Sequence, residues 1–257
     1  MGISMTIAIL QARMSSNRLP GKVLQEINGK PMIYWQLQRI LKATMIEKVI
    51  VATSLDSTDD QLVEFLSSQD ITCIRGSLDN VKERFDTVLS QIPSETFIRL
   101  TGDCPLVMPH LIDEMVREFG DANVDYFSNT IQPTFPDGLD IEVVKTDAFK
   151  KLSSFSLSRA EKEHVTYGLY SRPGEFNIRN FSNAENLSHM RWTVDYQEDL
   201  DFVREIFLHF KGREDLFGFS ELLDFLTLNP GIKSMIDANR RNESLFSMLR
   251  DEGEPDE

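Results

Sequence analysis

The chain has 257 residues, 41% of them hydrophobic, enough to bury a sizeable core, and no apolar run approaches the roughly 20 residues that cross a bilayer. A formal net charge of −14 argues against broad nucleic-acid binding, which depends on clustered Lys and Arg. Cys73 and Cys104 are too few for a disulfide framework and lack metal-ligand spacing, so they read as reduced thiols; with no signal-peptide pattern at the N-terminus, a cytoplasmic setting is expected.

The stretch Thr6–Lys22, TIAILQARMSSNRLPGK, opens with an apolar run, Ile7-Ala8-Ile9-Leu10, that reads as a buried parallel strand and stops at a polar loop. Arg13, Arg18 and Lys22 make that loop cationic. Ser15, Ser16 and Gly21 keep it compact, so that backbone N–H groups can face a ligand. It reads either as an exposed charged loop or as a cradle for a polyphosphate. A Walker-type loop is disfavoured, because G-x-x-x-x-G-K-[ST] needs Gly where Ser16 stands and Ser or Thr where Val23 stands.

Pro31 to Ala43 reads as a helix with Ile33, Leu37, Ile40 and Leu41 on one face. Val49 to Ala52 is a second buried strand, and Ser57 to Ser68 a helix started by Ser, Thr and Asp capping residues. Thr72 to Ile74 is a short strand, Asn80 to Gln91 a helix by the spacing of Val81, Phe85, Val88 and Leu89, and Phe97 to Leu100 a fourth strand. This alternation predicts an α/β fold: a mainly parallel sheet with helices on both faces, its ligands bound at the strands' carboxyl ends. Leu10, Gln11 and Ala12, together with Arg75, Gly76 and Asn80, are then placed to meet the base and ribose of a nucleotide.

Asp103, in Thr101-Gly102-Asp103-Cys104-Pro105-Leu106, follows the fourth strand directly and should face the same crevice as Arg13. An Asp in a turn can be a cap or an Asx turn; beside a triphosphate it can hold Mg²⁺, a hard cation that takes carboxylate, water and phosphate oxygens. Pro109 to Phe119 reads as a helix and Asp125 to Ser128 as a strand. Thr134 to Val144 reads as a turn leading into a strand of alternating side chains, with Asp140 and Glu142 on one face, either a solvated edge or the wall of an acceptor pocket. A helix beginning at Ser156-Leu157-Ser158 and running through SRAEKEHVTYGLYSR would make Glu161 and His164 neighbours. A lone helical His is either structural or a substrate contact.

Phe176 to Phe181 and Met190 to Val194 read as strands, the second carrying Arg191 and ending at Asp195 ahead of a helix from Glu198 to Phe210, where Asp is a good cap. Ser220 to Leu228 is a further amphipathic helix. The acidic DEGEPDE at 251–257 reads as a disordered tail. Residues 1–250 show no domain border, and the less regular stretch from about 125 to 190 reads as a small lobe that closes the crevice and supports dimer contacts.

Taken together, LQARMSSNRLPGKVL, GDCPL, FPDGLDIEVV, the Glu-His-Val-Thr segment and TVDYQEDLDFV carry a resemblance to the cytidylyltransferases that activate acidic sugars, the CMP-Kdo synthetase and acylneuraminate cytidylyltransferase group, and most to the branch typified by spore coat polysaccharide biosynthesis protein F. The similarity runs from Ile7 to about Phe210. It implies a Rossmann-like sheet of the nucleotide-diphospho-sugar transferase (GT-A-like) kind and a Mg²⁺-dependent enzyme, a homodimer, that joins CMP from CTP to a sugar acid of the 3-deoxy-2-keto type and releases pyrophosphate. On that resemblance Asp103 and Asp195 are the metal ligands, with Arg13 and Lys22 clamping phosphates; Leu10, Gln11, Ala12, Ser15, Arg75, Gly76 and Asn80 bind the nucleotide; and Asp140, Glu142, Glu161, His164 and Arg191 meet the acceptor. Gln-Ala-Arg-Met-Ser-Ser stands where the Kdo enzymes have Pro-Ala-Arg, which leaves the acceptor sugar open. The alternatives are a transferase of another NTP such as GTP, a nucleotide sensor, and a GT-A-type glycosyltransferase, for whose Asp-x-Asp motif GDCP supplies one acid.

Overall fold

Strand β1 (Thr6–Gln11) is buried from Thr6 to Leu10 and hands the chain to the cationic loop at Gln11. The computed structural model that shows this describes residues 6–235, 241 and 243–252. After a single 3-10 turn at Lys22–Leu24, the short pair β2 (Glu26–Ile27) and β3 (Lys30–Pro31) leads into α1 (Met32–Ile40). The expected alternation follows: β4 (Lys48–Ser54), α2 (Asp60–Ser68), β5 (Thr72–Gly76), α3 (Val81–Gln91), β6 (Thr96–Thr101) and α4 (Pro109–Ala122). Beyond it come β7 (Tyr126–Ser128), β8 (Glu142–Lys145), α5 (Thr146–Lys151), α6 (Arg159–Glu163), α7 (Tyr167–Tyr170) and β9 (Ile178–Asn180). Four helices complete the described chain: α8 (Gln197–His209), α9 (Phe219–Leu228), α10 (Pro230–Lys233) and α11 (Glu243–Glu252).

One sheet runs in the order β5-β4-β1-β6-β8-β7-β9. It is mainly parallel, with β8 antiparallel to both its neighbours. Because side chains alternate along a strand, Ala8 and Leu10 enter one core with Ile33, Ile112 and Phe202, while Ile7 and Ile9 enter another with Phe85, Val88 and Phe149. Helices therefore cover both faces, as the alternation predicts. Phe97 and Phe149 meet edge to face at 5.1 Å in the second core, each such buried ring contributing ~2 kcal/mol of transfer free energy. The register Gln11↔Ala52 and Gln11↔Thr101 brings the carboxyl ends of β4, β1 and β6 level, which sets the position of the site.

Several expected elements differ. The stretch from 125 to 190 supplies β7, β8 and β9 to the main sheet and is not a lobe apart from it. Asp140 precedes β8, so it shares no strand face with Glu142. The helix expected from 158 to 172 breaks at His164 (φ −95°, ψ 52°), and after the buried Val165 and Thr166 the chain resumes as α7. Met190–Val194 pairs with no strand among the described residues; an isolated bridge, Asp137↔Arg191, and Val194 N–H on Asp103 O at 2.8 Å hold it extended. Gly138 permits this approach: at φ +105°, a Cβ there would lie 2.6 Å from Thr193 N. The N-cap of α8 is Tyr196, not Asp195. Asp199 accepts the N–H groups of Asp195 and Tyr196 at 2.8 and 2.9 Å. Asp251 and Glu252 belong to α11, not to a tail; residues 253–257 lie outside the described residues.

Candidate active site

Lys22 turns inward. Gly21, in the left-handed region at φ +69°, redirects the chain into the 3-10 turn, and the Lys22 ammonium donates to Asp103 Oδ2 at 3.1 Å, Val194 O at 2.8 Å and Asp195 Oδ1 at 2.9 Å. Burial alone would discharge a lysine, yet the carboxylates of Asp103 and Asp195 hold its pKa above the ordinary value, so it stays cationic. Burial likewise pushes Asp103 up, and the neighbouring Lys22 outweighs it, bringing the carboxyl down to about 2. Lys22, expected to clamp phosphates, here gives its donors to the two acids and to the Val194 carbonyl.

Asp195 gathers more cations. Arg18 Nη2 lies 2.7 Å from its Oδ1, and Arg191 Nη2 lies 2.8 Å from its Oδ2. Arg191 also bonds Asp199, at 3.2 Å, and Asp137, at 3.0 Å. This guanidinium is committed to three carboxylates and is 5% exposed, so it holds Asp195 in place where it touches the cavity wall. Asp103 and Asp195, far apart in sequence, therefore meet across one ammonium beside the cationic loop.

These groups line a cavity of about 1140 Å³ that also includes Gln11, Ala12, Arg13, Asp140, Glu142 and His164. Arg13 and Arg18 are its most accessible cations here, with side chains 38% and 34% exposed; Arg13 pairs with Glu163 at 3.3 Å. Toward the expected acceptor side, Glu142 is bound by Arg99 and by Tyr126 Oη at 2.7 Å. Asp140 is bound by Arg241. Burial raises the Asp140 carboxyl despite that arginine, and burial with Asp140 beside it raises Asp137 to about 7. The His164 imidazole is lowered to about 4 by burial and by Arg99 and Arg13, so it is neutral at pH 7; its Nε2 is buried without a hydrogen-bond partner among the described residues.

Other expected site residues do structural work. Arg75 spends its guanidinium on Ser54 O, Asp60 and Asp56 O at 2.7 to 2.8 Å, Asn80 caps α3 through Glu83 N–H, and Gly76 packs against Arg84. Glu161 closes the capping box of α6 with Ser158 and pairs with Arg172. The Leu10 side chain lies in the core. Ser15 Oγ is buried without a hydrogen-bond partner among the described residues. None of these six lines the cavity. Residues not singled out for the site include Asp137, Arg99 and Asp199. Arg99 carried a signal, a charged residue inside an apolar strand, and Asp199 another, the last acid of TVDYQED.

Asp103 and Asp195 offer hard carboxylate oxygens on either side of a cation, which suits Mg²⁺. Among the described residues no third His, Cys, Asp or Glu completes a metal-binding group with them. Cys104 donates weakly to Asp103 Oδ1 at 3.4 Å, and burial holds its thiol well above the ordinary pKa.

Residues 7–225 match the family described as cytidylyltransferase. An uncharacterized protein of Methanocaldococcus jannaschii is 33% identical over 93% of this chain and 96% of its own length. The spore coat polysaccharide biosynthesis protein SpsF of Bacillus subtilis is 31% identical over 86% of this chain and 94% of its own. The structure of a cytidylyltransferase from Leptospira borgpetersenii superposes with a TM-score of 0.86 at 27% identity, covering 92% of this chain and 100% of that one.

Proposed function

This chain belongs to the cytidylyltransferase family, and on that premise we propose that it transfers CMP from CTP to a sugar acid of the 3-deoxy-2-keto type, releasing pyrophosphate, for the synthesis of a surface polysaccharide or glycan. The single observation that carries the reading is the meeting of Asp103 and Asp195 on Lys22 at the floor of a cleft whose mouth holds Arg13 and Arg18. The likeness of the loop to sugar-acid cytidylyltransferases supports the substrate class, and the SpsF relative's name supports the pathway.

Nucleotidyl transfer calls for an in-line nucleophile, neutralised charge on the leaving pyrophosphate, and little water; positioning and electrostatics supply most of the acceleration. Arg13 and Arg18, partly exposed, take the phosphate oxygens in exchange for their present carboxylate partners. Lys22 keeps the two acids together. Arg191, buried against Asp195, fixes the direction in which that carboxylate points. Asp103 and Asp195 would hold Mg²⁺, and that ion, when bound, would supply neutralisation of phosphate charge and a lowered pKa for the attacking hydroxyl. Asp140, Glu142 and neutral His164 line the acceptor side, where His164 Nε2 is available to a sugar hydroxyl. The same reading takes the protein as a cytoplasmic homodimer, which light scattering in solution checks.

The experiment is pyrophosphate release from CTP, GTP, ATP and UTP against a panel of sugar acids, with Mg²⁺ and with chelator. CTP with one or more sugar acids and Mg²⁺ is the expected active combination. Preference for GTP would reassign the base, and no pyrophosphate from any pair would remove the activity.

A further inference from the structure

Asp59, at the entry to α2, is fully buried and does not line the cavity. Its Oδ2 accepts from Thr53 Oγ1 at 2.9 Å, from Ser54 N at 3.0 Å and from Ser54 Oγ, and its Oδ1 accepts the backbone N–H of Met14 at 2.7 Å. Burying a carboxylate is costly unless strong donors repay it. Three of the four donors belong to the end of β4; the fourth is in the cationic loop, 45 residues away.

The Met14 peptide is the hub of that loop. Its N–H is held by Asp59, and its carbonyl accepts the N–H groups of Ser16 and Gly21, both at 2.9 Å. On one side Met14 adjoins Arg13. On the other, Gly21 is the left-handed residue that turns Lys22 onto Asp103 and Asp195.

We infer that Asp59 is a positioning residue for nucleotide binding: from within the core it fixes the Met14 peptide and through it the placement of Arg13 and Lys22. This rests on the reading of the loop as a triphosphate cradle.

Asp59→Asn is nearly isosteric and selective. With three donors converging on Oδ2, the asparagine turns its oxygen toward Thr53 and Ser54 and its NH₂ toward Met14 N–H, so only the bond to the loop is lost. Thr53→Val is the control, since it removes one donor from Oδ2 and leaves the Met14 bond. Equilibrium binding of CTP, steady-state pyrophosphate release and thermal midpoints are measured for the wild type and both variants. Asp59→Asn is expected to raise Kd and KM for CTP about tenfold, the scale of one hydrogen bond to a charged group, with acceptor KM changed less than about twofold. Thr53→Val is expected to lower the thermal midpoint while CTP binding stays within about twofold of wild type. CTP binding by Asp59→Asn equal to wild type, or equal loss in both variants, would overturn the inference. Failure of the wild type to bind any nucleoside triphosphate would overturn the cradle reading itself. If Asp59→Asn does not fold, Gly21→Ala breaks the same relay from a partly exposed turn; the same rise in Kd is expected, and unchanged binding overturns the relay.

Discussion

Lys22 Nζ lies 2.9 Å from Asp195 Oδ1 across 173 residues of sequence, and the same nitrogen lies 3.1 Å from Asp103 Oδ2. Removing the ammonium leaves the partly exposed Asp103 carboxylate facing the buried Asp195, which keeps Arg18 and Arg191, so Lys22→Met is expected to cost ~1–3 kcal/mol of stability as well as turnover. Denaturant unfolding at neutral pH checks the first part, and a midpoint unchanged from wild type would show that the carboxylates do not depend on this cation.

The two acids differ in what they hold. Among the described residues, Asp195 faces Lys22, Arg18 and Arg191, whereas Asp103 has one cationic partner, Lys22. Asp103→Asn and Asp195→Asn are both expected to abolish turnover, and Asp195→Asn to lower the thermal midpoint further because it strands more charge. Calorimetry of the two variants orders them; wild-type rates in either would remove that residue from the chemistry.

His164 makes stability depend on pH. Its folded pKa is lowered to about 4, against ~6.5 for an unfolded histidine. Between those values the unfolded chain binds a proton that the native state refuses, so stability falls as pH drops from about 6.5 toward about 4, and above that window this contribution is fully present. His164→Gln should flatten that slope in urea midpoints taken across the range. Asp103 acts lower on the scale: its folded pKa, about 2, lies below the unfolded value of ~3.9, so its contribution is intact above that value and lost as pH falls through the folded one.

Helix α11 approaches the cradle from the C-terminal side. Glu243 Oε2 lies 3.1 Å from Arg18 Nη1, and Leu245 and Leu249 pack on Ala160. Both partners of the pair are about a third exposed, so the interaction is worth ~0–1 kcal/mol. Glu243→Gln is accordingly expected to lower KM for CTP by about twofold, since Arg18 no longer has to exchange that partner for phosphate. A higher KM would mean that Glu243 assists binding.

Periodicity located the strands and helices of the first half, because the burial of each shows in the spacing of its own apolar residues whatever it pairs with. The positions of Asp103 and Asp195 at the ends of extended segments were likewise legible, and the cleft unites them. What escaped depended on distant partners. Arg191 reads as a ligand contact until the fold brings Asp137, 54 residues away, onto its guanidinium. Arg75 follows a strand, as a ligand residue would, but that edge strand faces Ser54 O and the start of α2. His164 looked helical because Ser158 and Glu161 form a sound capping box, and nothing local states that the helix ends five residues later.

The most direct test follows the α-phosphate. With CTP labelled at that position, Mg²⁺ and an accepted sugar acid, the label should move into a sugar-linked CMP in step with pyrophosphate release, and Asp103→Asn and Asp195→Asn should block both. Label recovered only as free CMP or CDP, or transfer that survives the loss of both acids, would contradict a cytidylyltransferase centre built on Asp103, Asp195 and Lys22.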